Sequence, residues 1–159
     1  MTQTESDTDE TQLGLHTWAL GQFDWNQRVE PKEVISTFLN EPDPLIQTAS
    51  YYAKGNSNKY IREVFGEENS SSPPTCLIQT GLSVGEDGTI QPDSSPDSVH
   101  QQVQNCLDQL DHPSRVFLQL TVADIDQSIE STLNTLRDFA RNSPVESVGL
   151  LFTDLAHVP

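Results

Sequence analysis

Three aspartates and a histidine stand where predicted strands end: Asp24, Asp124, Asp154 and His157. The carboxyl ends of parallel strands meet at one edge of a sheet, and α/β proteins bind ligands there. Carboxylates beside an imidazole would suit a divalent metal ion or proton transfer to a substrate. Asp124 can equally serve as a helix cap, and acids occur in nearly every loop of this chain. These residues are therefore candidate catalytic residues, and no metal is assigned to them.

A second candidate site is the segment 51–62, whose sequence is YYAKGNSNKYIR. It contains all three tyrosines of the chain, three of its eight basic residues and no acid. Tyrosines interleaved with cations are typical of surfaces that stack on bases and contact phosphates, and they also suit the docking of a protein. Alternatively, the tyrosines pack onto the sheet and the cations are ordinary surface residues. The candidate binding residues are Tyr51, Tyr52, Lys54, Lys59, Tyr60 and Arg62.

Motifs for nucleotide cofactors and nucleophilic catalysis are missing from the sequence. There is neither a GxGxxG nor a GxxxxGK[ST] segment, and the acids of the Gly85–Gly88 turn would repel a phosphate. Cys76 and Cys106 lie far apart, without a CxxC pair or a histidine at metal-ligand spacing, and they read as free thiols. We therefore predict no cofactor.

The balance of charge is the strongest compositional feature. The chain has 24 acidic residues against 8 basic ones, which gives a net charge of -16. Such a surface is tolerable in molar salt, where the Debye length is about 3 Å, so the composition favours a protein from an extreme halophile. Apolar residues are too frequent and too periodic for a disordered acidic protein. Neither a membrane-spanning run nor a signal peptide is recognisable, so the prediction is a cytoplasmic protein.

The helices and strands that position these residues can be predicted from the spacing of apolar residues and from the proline, glycine and capping residues at their ends. The acidic segment 1–12 predicts a disordered tail, and residues 13–159 predict one domain. A strand is expected at 15–25, and a helix is expected from Pro31 to Leu39. Asp43, Pro44 and Gly55 carry the signals of a helix start and end, so a second helix is predicted between them. With a short helix at 59–65, these segments form a predicted helical insert at about residues 31–66.

The second half of the chain alternates strands with helices. Strands are predicted at 75–84, 116–122 and 145–152, with a hairpin turn at 85–88 and helices after Ser95 and Asp124. Strand–helix–strand order gives parallel strands joined by right-handed crossovers. The predicted fold is an α/β domain with a small, mixed, mostly parallel sheet of four to five strands and helices on its faces.

Three functions remain open from the sequence. The favoured hypothesis is a small cytoplasmic binding domain that docks a protein or an anionic ligand through residues 51–62. A metal- or carboxylate-dependent enzyme with a site at the strand ends is the alternative. Nucleic-acid binding is a further alternative that the net charge disfavours. The partner is a protein if there is one, no membrane is involved, and the oligomeric state is undetermined.

Overall fold

The computed structural model describes residues 14–21, 30–41, 43–67, 74–111, 113–122, 129–142 and 144–152. The predicted tail at 1–12 lies outside these residues. The described part contains seven strands: β1 (Gly14–His16), β2 (Leu45–Ala49), β3 (Thr75–Thr80), β4 (Leu82–Val84), β5 (Ile90–Pro92), β6 (Arg115–Val122) and β7 (Val145–Phe152). It also contains four α-helices: α1 (Pro31–Leu39), α2 (Asn56–Glu67), α3 (Pro96–Leu110) and α4 (Ile129–Asn142). Short 3₁₀ helices occupy Trp18–Gly21 and Tyr52–Gly55.

Five strands form one parallel sheet in the order β1-β2-β3-β6-β7. The α/β class and the mostly parallel sheet are thereby confirmed. The turn at 85–88 connects β4 and β5, which form a separate antiparallel pair. Among the described helices, none is long and apolar enough to cross a membrane.

The main core lies between the sheet and the four described helices. Along β6 the burial alternates, so that Val116, Leu118 and Leu120 are almost fully buried while Phe117 and Gln119 are partly exposed. The buried set packs in one cluster with apolar side chains from all four helices, including Ile35, Ile61, Val99 and Leu136. Because residues of one parity in a strand share a face, the described helices all cover the same face of the sheet.

The strand order identifies the architecture. It follows the order of the chain without reversal, whereas a doubly wound sheet reverses where its ligand binds. Parallel strands in sequential order with helices on one face are the arrangement of the (β/α)₈ barrel, and the five strands correspond to a segment of that barrel. Active sites of such barrels lie at the carboxyl ends of the strands.

The predicted helix at 43–55 is wrong, because Leu45–Ala49 form β2 and Tyr52–Gly55 form a short 3₁₀ helix. Asp43 adopts a left-handed backbone conformation with a φ of 49°, a conformation that aspartate tolerates better than most residues. The Pro44 carbonyl accepts a hydrogen bond from the Thr75 N–H, which starts the ladder between β2 and β3. Pairing with β1 and β3 on both sides therefore overrides local helix signals at 43–55.

Candidate functional site

Four strands and one 3₁₀ helix bring a group of polar side chains together at the carboxyl end of the sheet. At its centre is Tyr52, whose side chain is almost completely buried. The Tyr52 hydroxyl donates to Oε1 of Gln79 at 2.6 Å. The His16 Nε2 atom lies 3.0 Å from the same hydroxyl oxygen. Since the phenol hydrogen points to Gln79, the His16 Nε2–H is the donor in the second contact.

Gln79 connects this tyrosine to the neighbouring strands. Its Nε2 donates to Oγ1 of Thr121 at 2.8 Å, and its Oε1 lies 3.4 Å from Nε2 of Gln47, which donates to it. The three strands β2, β3 and β6 thus each contribute one member, and β1 contributes His16. We call Tyr52, His16, Gln47, Gln79 and Thr121 the tyrosine cluster.

The tyrosine cluster consists of neutral groups. Burial raises the pKa of Tyr52 to about 12, so the phenol stays protonated at physiological pH. Burial also lowers the pKa of His16, which favours the uncharged imidazole. A neutral hydroxyl among amides and hydroxyls is suited to hydrogen bonding with a carbonyl oxygen or an alcohol.

Aromatic packing holds Tyr52 in place. The rings of Trp18 and Tyr51 meet the Tyr52 ring edge-on, with centroids at 5.2 Å and 5.0 Å. Leu82 and Val84 of the β4–β5 hairpin pack against the same group. Edge-to-face contacts of this kind orient the rings and stabilise a packed pair by about 1 kcal/mol beyond their buried area.

Buried hydrogen bonds also fix α2, which directly follows the 3₁₀ helix Tyr52–Gly55. The Asn58 side chain is fully buried, accepts a hydrogen bond from Thr48 of β2 and donates one to Gln109 of α3. Ser57 is also fully buried and donates to the Thr17 carbonyl after β1. These bonds fix the start of α2 against two strands and a helix.

The residues predicted in 51–62 do not form one surface. Tyr51 and Tyr52 are buried, and Tyr60 is partly buried against the core. Lys59 and Arg62 are exposed and line a cavity of about 460 Å³ together with Gly55, Asn56, Glu63 and Gln109. Lys59 also lies 3.8 Å from the Glu63 carboxylate. The Lys54 side chain lies outside the described part of the chain.

The strand-end candidates Asp24, Asp124, Asp154 and His157 all lie outside the described residues. Within the described ranges, no group of three or more histidines, cysteines and acids could hold a metal ion. Cys76 and Cys106 are free and buried, as the sequence predicts, and burial raises the pKa of each thiol to about 12.

Sequence reasoning missed four of the five members of the tyrosine cluster. His16, Gln47, Gln79 and Thr121 belong to no local motif and are separated from one another by about 30 residues or more. Two members, Gln79 and Thr121, could have been found from the sequence, because each is a polar residue near the end of an otherwise apolar strand. In a barrel strand such a position faces the site.

No family model and no curated protein sequence matches the chain. Solved structures of aldo-keto reductases do match it in three dimensions. An aldo-keto reductase from Bacillus halodurans in its holo form has 16% identity and a TM-score of 0.67, over 89% of this chain and 46% of that one. The glycerol dehydrogenase from Gluconobacter oxydans has 19% identity and a TM-score of 0.68, over 86% and 43%. An aldo-keto reductase from Klebsiella pneumoniae in complex with NADPH has 15% identity and a TM-score of 0.60, over 90% and 46%.

This likeness shows a shared fold, and the chain spans less than half the length of these three structures. It contradicts the hypothesis of a non-enzymatic binding domain and its metal-dependent alternative, because the proteins with this fold are named as reductases and a dehydrogenase. Two of the three tyrosines meant to form the docking surface are packed inside the protein. The prediction of no cofactor is also corrected, because one of these structures holds NADPH.

Proposed function

We propose that this chain is the site-bearing part of an oxidoreductase that reduces a carbonyl group with a nicotinamide cofactor. The observation that carries the proposal is the Tyr52 hydroxyl at the carboxyl end of the barrel strands, which donates to an amide carbonyl at 2.6 Å. The Gln79 carbonyl occupies the place in which a substrate carbonyl would accept this hydrogen bond. The names of the structural neighbours support the same class of reaction.

Carbonyl reduction needs a hydride at carbon and a proton at oxygen. In the proposed reaction Tyr52 donates the proton, since its hydroxyl already donates a hydrogen bond to a carbonyl oxygen at 2.6 Å. His16 donates to the phenol oxygen at 3.0 Å and so stabilises negative charge that develops there. Gln79 and Thr121 hold the orientation of the cluster.

The described residues fit one end of a nicotinamide cofactor. Neutral amides and hydroxyls match the carboxamide of nicotinamide, and a reduced nicotinamide bound beside them would supply the hydride. The phosphates of the cofactor need cations or free backbone N–H groups. No member of the tyrosine cluster is cationic, so the phosphates would be held by residues outside this cluster. A cytoplasmic location is part of the proposal, and the two free thiols support it.

The test is a reductase assay of the Tyr52→Phe variant. NADPH and NADH oxidation is followed in 3 M KCl with a panel of aldehydes and ketones. We expect kcat/KM of the variant to fall by about 10²- to 10⁴-fold, which is the usual contribution of a general acid. Tyr60→Phe removes a hydroxyl from a partly buried tyrosine outside the cluster and should leave kcat/KM unchanged.

Thermal unfolding of both variants shows whether each of them is folded. Wild-type protein without turnover of any carbonyl in the panel would contradict the proposal. So would a folded Tyr52→Phe variant with wild-type kcat/KM.

A further inference from the structure

The β4–β5 hairpin is separate from the main sheet and contacts the candidate site. Each of its strands has three residues, and among the described strands the two pair only with each other. Leu82 and Val84 lie on the same side of β4 and are partly buried against Ala49, Tyr51 and Tyr52. The three residues of β5 are exposed. The hairpin therefore presents one apolar side to the aromatic group that holds Tyr52.

Such a short hairpin needs support at its base, because isolated two-stranded hairpins are at best marginally stable in water. At the base, the Asp93 N–H donates to the Gly81 carbonyl at 2.9 Å. A side chain of α3 also binds there. This side chain is Gln102, which is only 8% exposed although glutamine usually lies at the surface.

The Gln102 amide binds both ends of the hairpin. Its Oε1 accepts from the Gly81 N–H at 2.9 Å and from the Thr80 hydroxyl at 2.7 Å, where the chain enters the hairpin. Its Nε2 donates to the Asp93 carbonyl at 3.0 Å, where the chain leaves, and to Oγ of Ser98 at 3.3 Å. These four contacts use all the hydrogen-bond capacity of a carboxamide, two acceptor and two donor positions. A methionine of similar length would make none of them.

Two routes lead from Gln102 to the tyrosine cluster. Through the hairpin, it keeps Leu82 and Val84 against the aromatic group that contains Tyr52. Through Thr80, it fixes the end of β3 directly after Gln79, which accepts the Tyr52 hydroxyl hydrogen bond at 2.6 Å. A displacement of about 1 Å at a reacting group can lower a rate by roughly 10²-fold. Gln102 can therefore affect the site without being a member of the tyrosine cluster.

We propose that Gln102 is a positioning residue for Tyr52. By binding both ends of the hairpin and the end of β3, it holds the Tyr52 ring and the acceptor Gln79 in the observed arrangement. It acts through Tyr52 and not by contact with substrate or cofactor. Only the kinetic consequence rests on the proposed reaction, because the surroundings of Tyr52 can be measured without turnover.

Titration of Tyr52 followed by NMR tests the proposal. Tyrosines labelled with ¹³C at Cζ give signals from the three tyrosines of the chain, and Tyr52→Phe identifies that of Tyr52. In the wild type, burial raises the pKa of Tyr52 to about 12. In Gln102→Met the hairpin is released and water reaches the ring, so the pKa should fall toward the ordinary value of about 10. Gln102→Asn keeps a neutral amide that is too short to span both ends, and it should give a smaller fall.

Two variants of neighbouring residues in α3 are the controls. Gln101 is exposed and bonds only to Asn105 among the described residues, so Gln101→Met should leave the pKa of Tyr52 unchanged. Val103 is fully buried, and Val103→Ala destabilises the fold by a cavity without removing a bond to the hairpin. Urea unfolding measures the stability of each variant, and circular dichroism shows at each pH whether it is folded.

Two results would overturn the proposal. One is an unchanged pKa of Tyr52 in folded Gln102→Met and Gln102→Asn. The other is an equal fall of this pKa in Val103→Ala, because the effect would then follow from lost stability alone.

Steady-state kinetics provides the second readout. In an active wild type, Gln102→Met should lower kcat by about 10- to 100-fold with KM unchanged, because Tyr52 acts on the transition state. In a Tyr52→Phe background the same change should lower kcat no further, whereas a full additional loss would show that Gln102 acts independently of Tyr52. A wild type without turnover would contradict the proposed reaction, and the titration would still decide the role of Gln102.

Discussion

Tyr52 combines a buried ring with a hydroxyl that has two defined hydrogen-bond partners. The ring is fixed by Trp18 and Tyr51, and the hydroxyl is fixed by His16 and Gln79. In the proposed reaction a substrate carbonyl replaces Gln79 as the acceptor of the hydrogen bond from Tyr52. The same burial affects the stability of the protein at alkaline pH.

Stability should fall between about pH 10 and pH 12 because of Tyr52. Below pH 10 the phenol is protonated in both states and the effect is absent. Above pH 10 the unfolded phenol loses its proton, while the folded phenol, with a pKa of about 12, keeps it. The penalty on folding grows by up to about 1.4 kcal/mol per pH unit. Urea unfolding of wild type and Tyr52→Phe measures the free energy of unfolding at each pH in this window. If this free energy falls equally with pH in both proteins, Tyr52 is not the cause.

At the scale of the elements, backbone contacts decide where β3 ends and the hairpin begins. Gly81 has a φ of 95° and separates β3 from β4. Its N–H donates to Oε1 of Gln102 in α3, and its carbonyl accepts from the Asp93 N–H after β5. This residue therefore connects the site end of the sheet to α3 and to the hairpin.

Gly81→Ala should destabilise the protein by more than about 2 kcal/mol. A Cβ atom at Gly81 would lie 2.4 Å from the Thr121 carbonyl oxygen, so β3 and β6 would have to separate. The left-handed conformation adds about 1 kcal/mol to this cost. Gly88→Ala is the control, because Gly88 has a φ of 84° but no atom near the new methyl group. Urea unfolding should show a loss of about 1 kcal/mol for Gly88→Ala, and equal losses at both positions would exclude a steric cause.

At the scale of the whole molecule, charge governs the conditions under which the fold is stable. The chain has a net charge of -16, and in dilute buffer its like charges repel one another and destabilise the folded state. The ion pairs among the described residues, such as Arg115 with Glu146 and Lys32 with Glu63, lie at or near the surface. Exposed pairs of this kind contribute at most about 1 kcal/mol each, so they do not offset the repulsion.

The melting temperature should therefore rise strongly between 0.1 and 3 M KCl. Screening that stabilises the folded state by about 3 kcal/mol would raise Tm by roughly 6–12 °C in a chain of this size. Calorimetry across the salt series measures the rise. Sucrose in 0.1 M KCl is the control, since it favours the compact state without screening charge. A Tm that is flat or falls with KCl would rule out the halophilic interpretation.

The sequence by itself determined the elements whose patterns are local. The apolar stripe of α1, the start of α3 at Ser95 and Pro96, and the existence of strand β7 were all readable, because helix period, capping and β propensity depend on near neighbours. The burial of β7 was not, since Leu150 and Leu151 are 41% and 39% exposed. The charge and the α/β class were equally readable from composition and from element order.

Only the tertiary structure decided that residues 45–49 are a strand and where the candidate site lies. Residues 45–49 carry helix signals, but ladders to β1 and β3, which join residues about 30 positions apart, stabilise the strand instead. The tyrosine cluster likewise joins residues from four strands and a 3₁₀ helix, with no local motif among them. The spacing along the chain shows neither feature, because both depend on which strands become neighbours in the sheet.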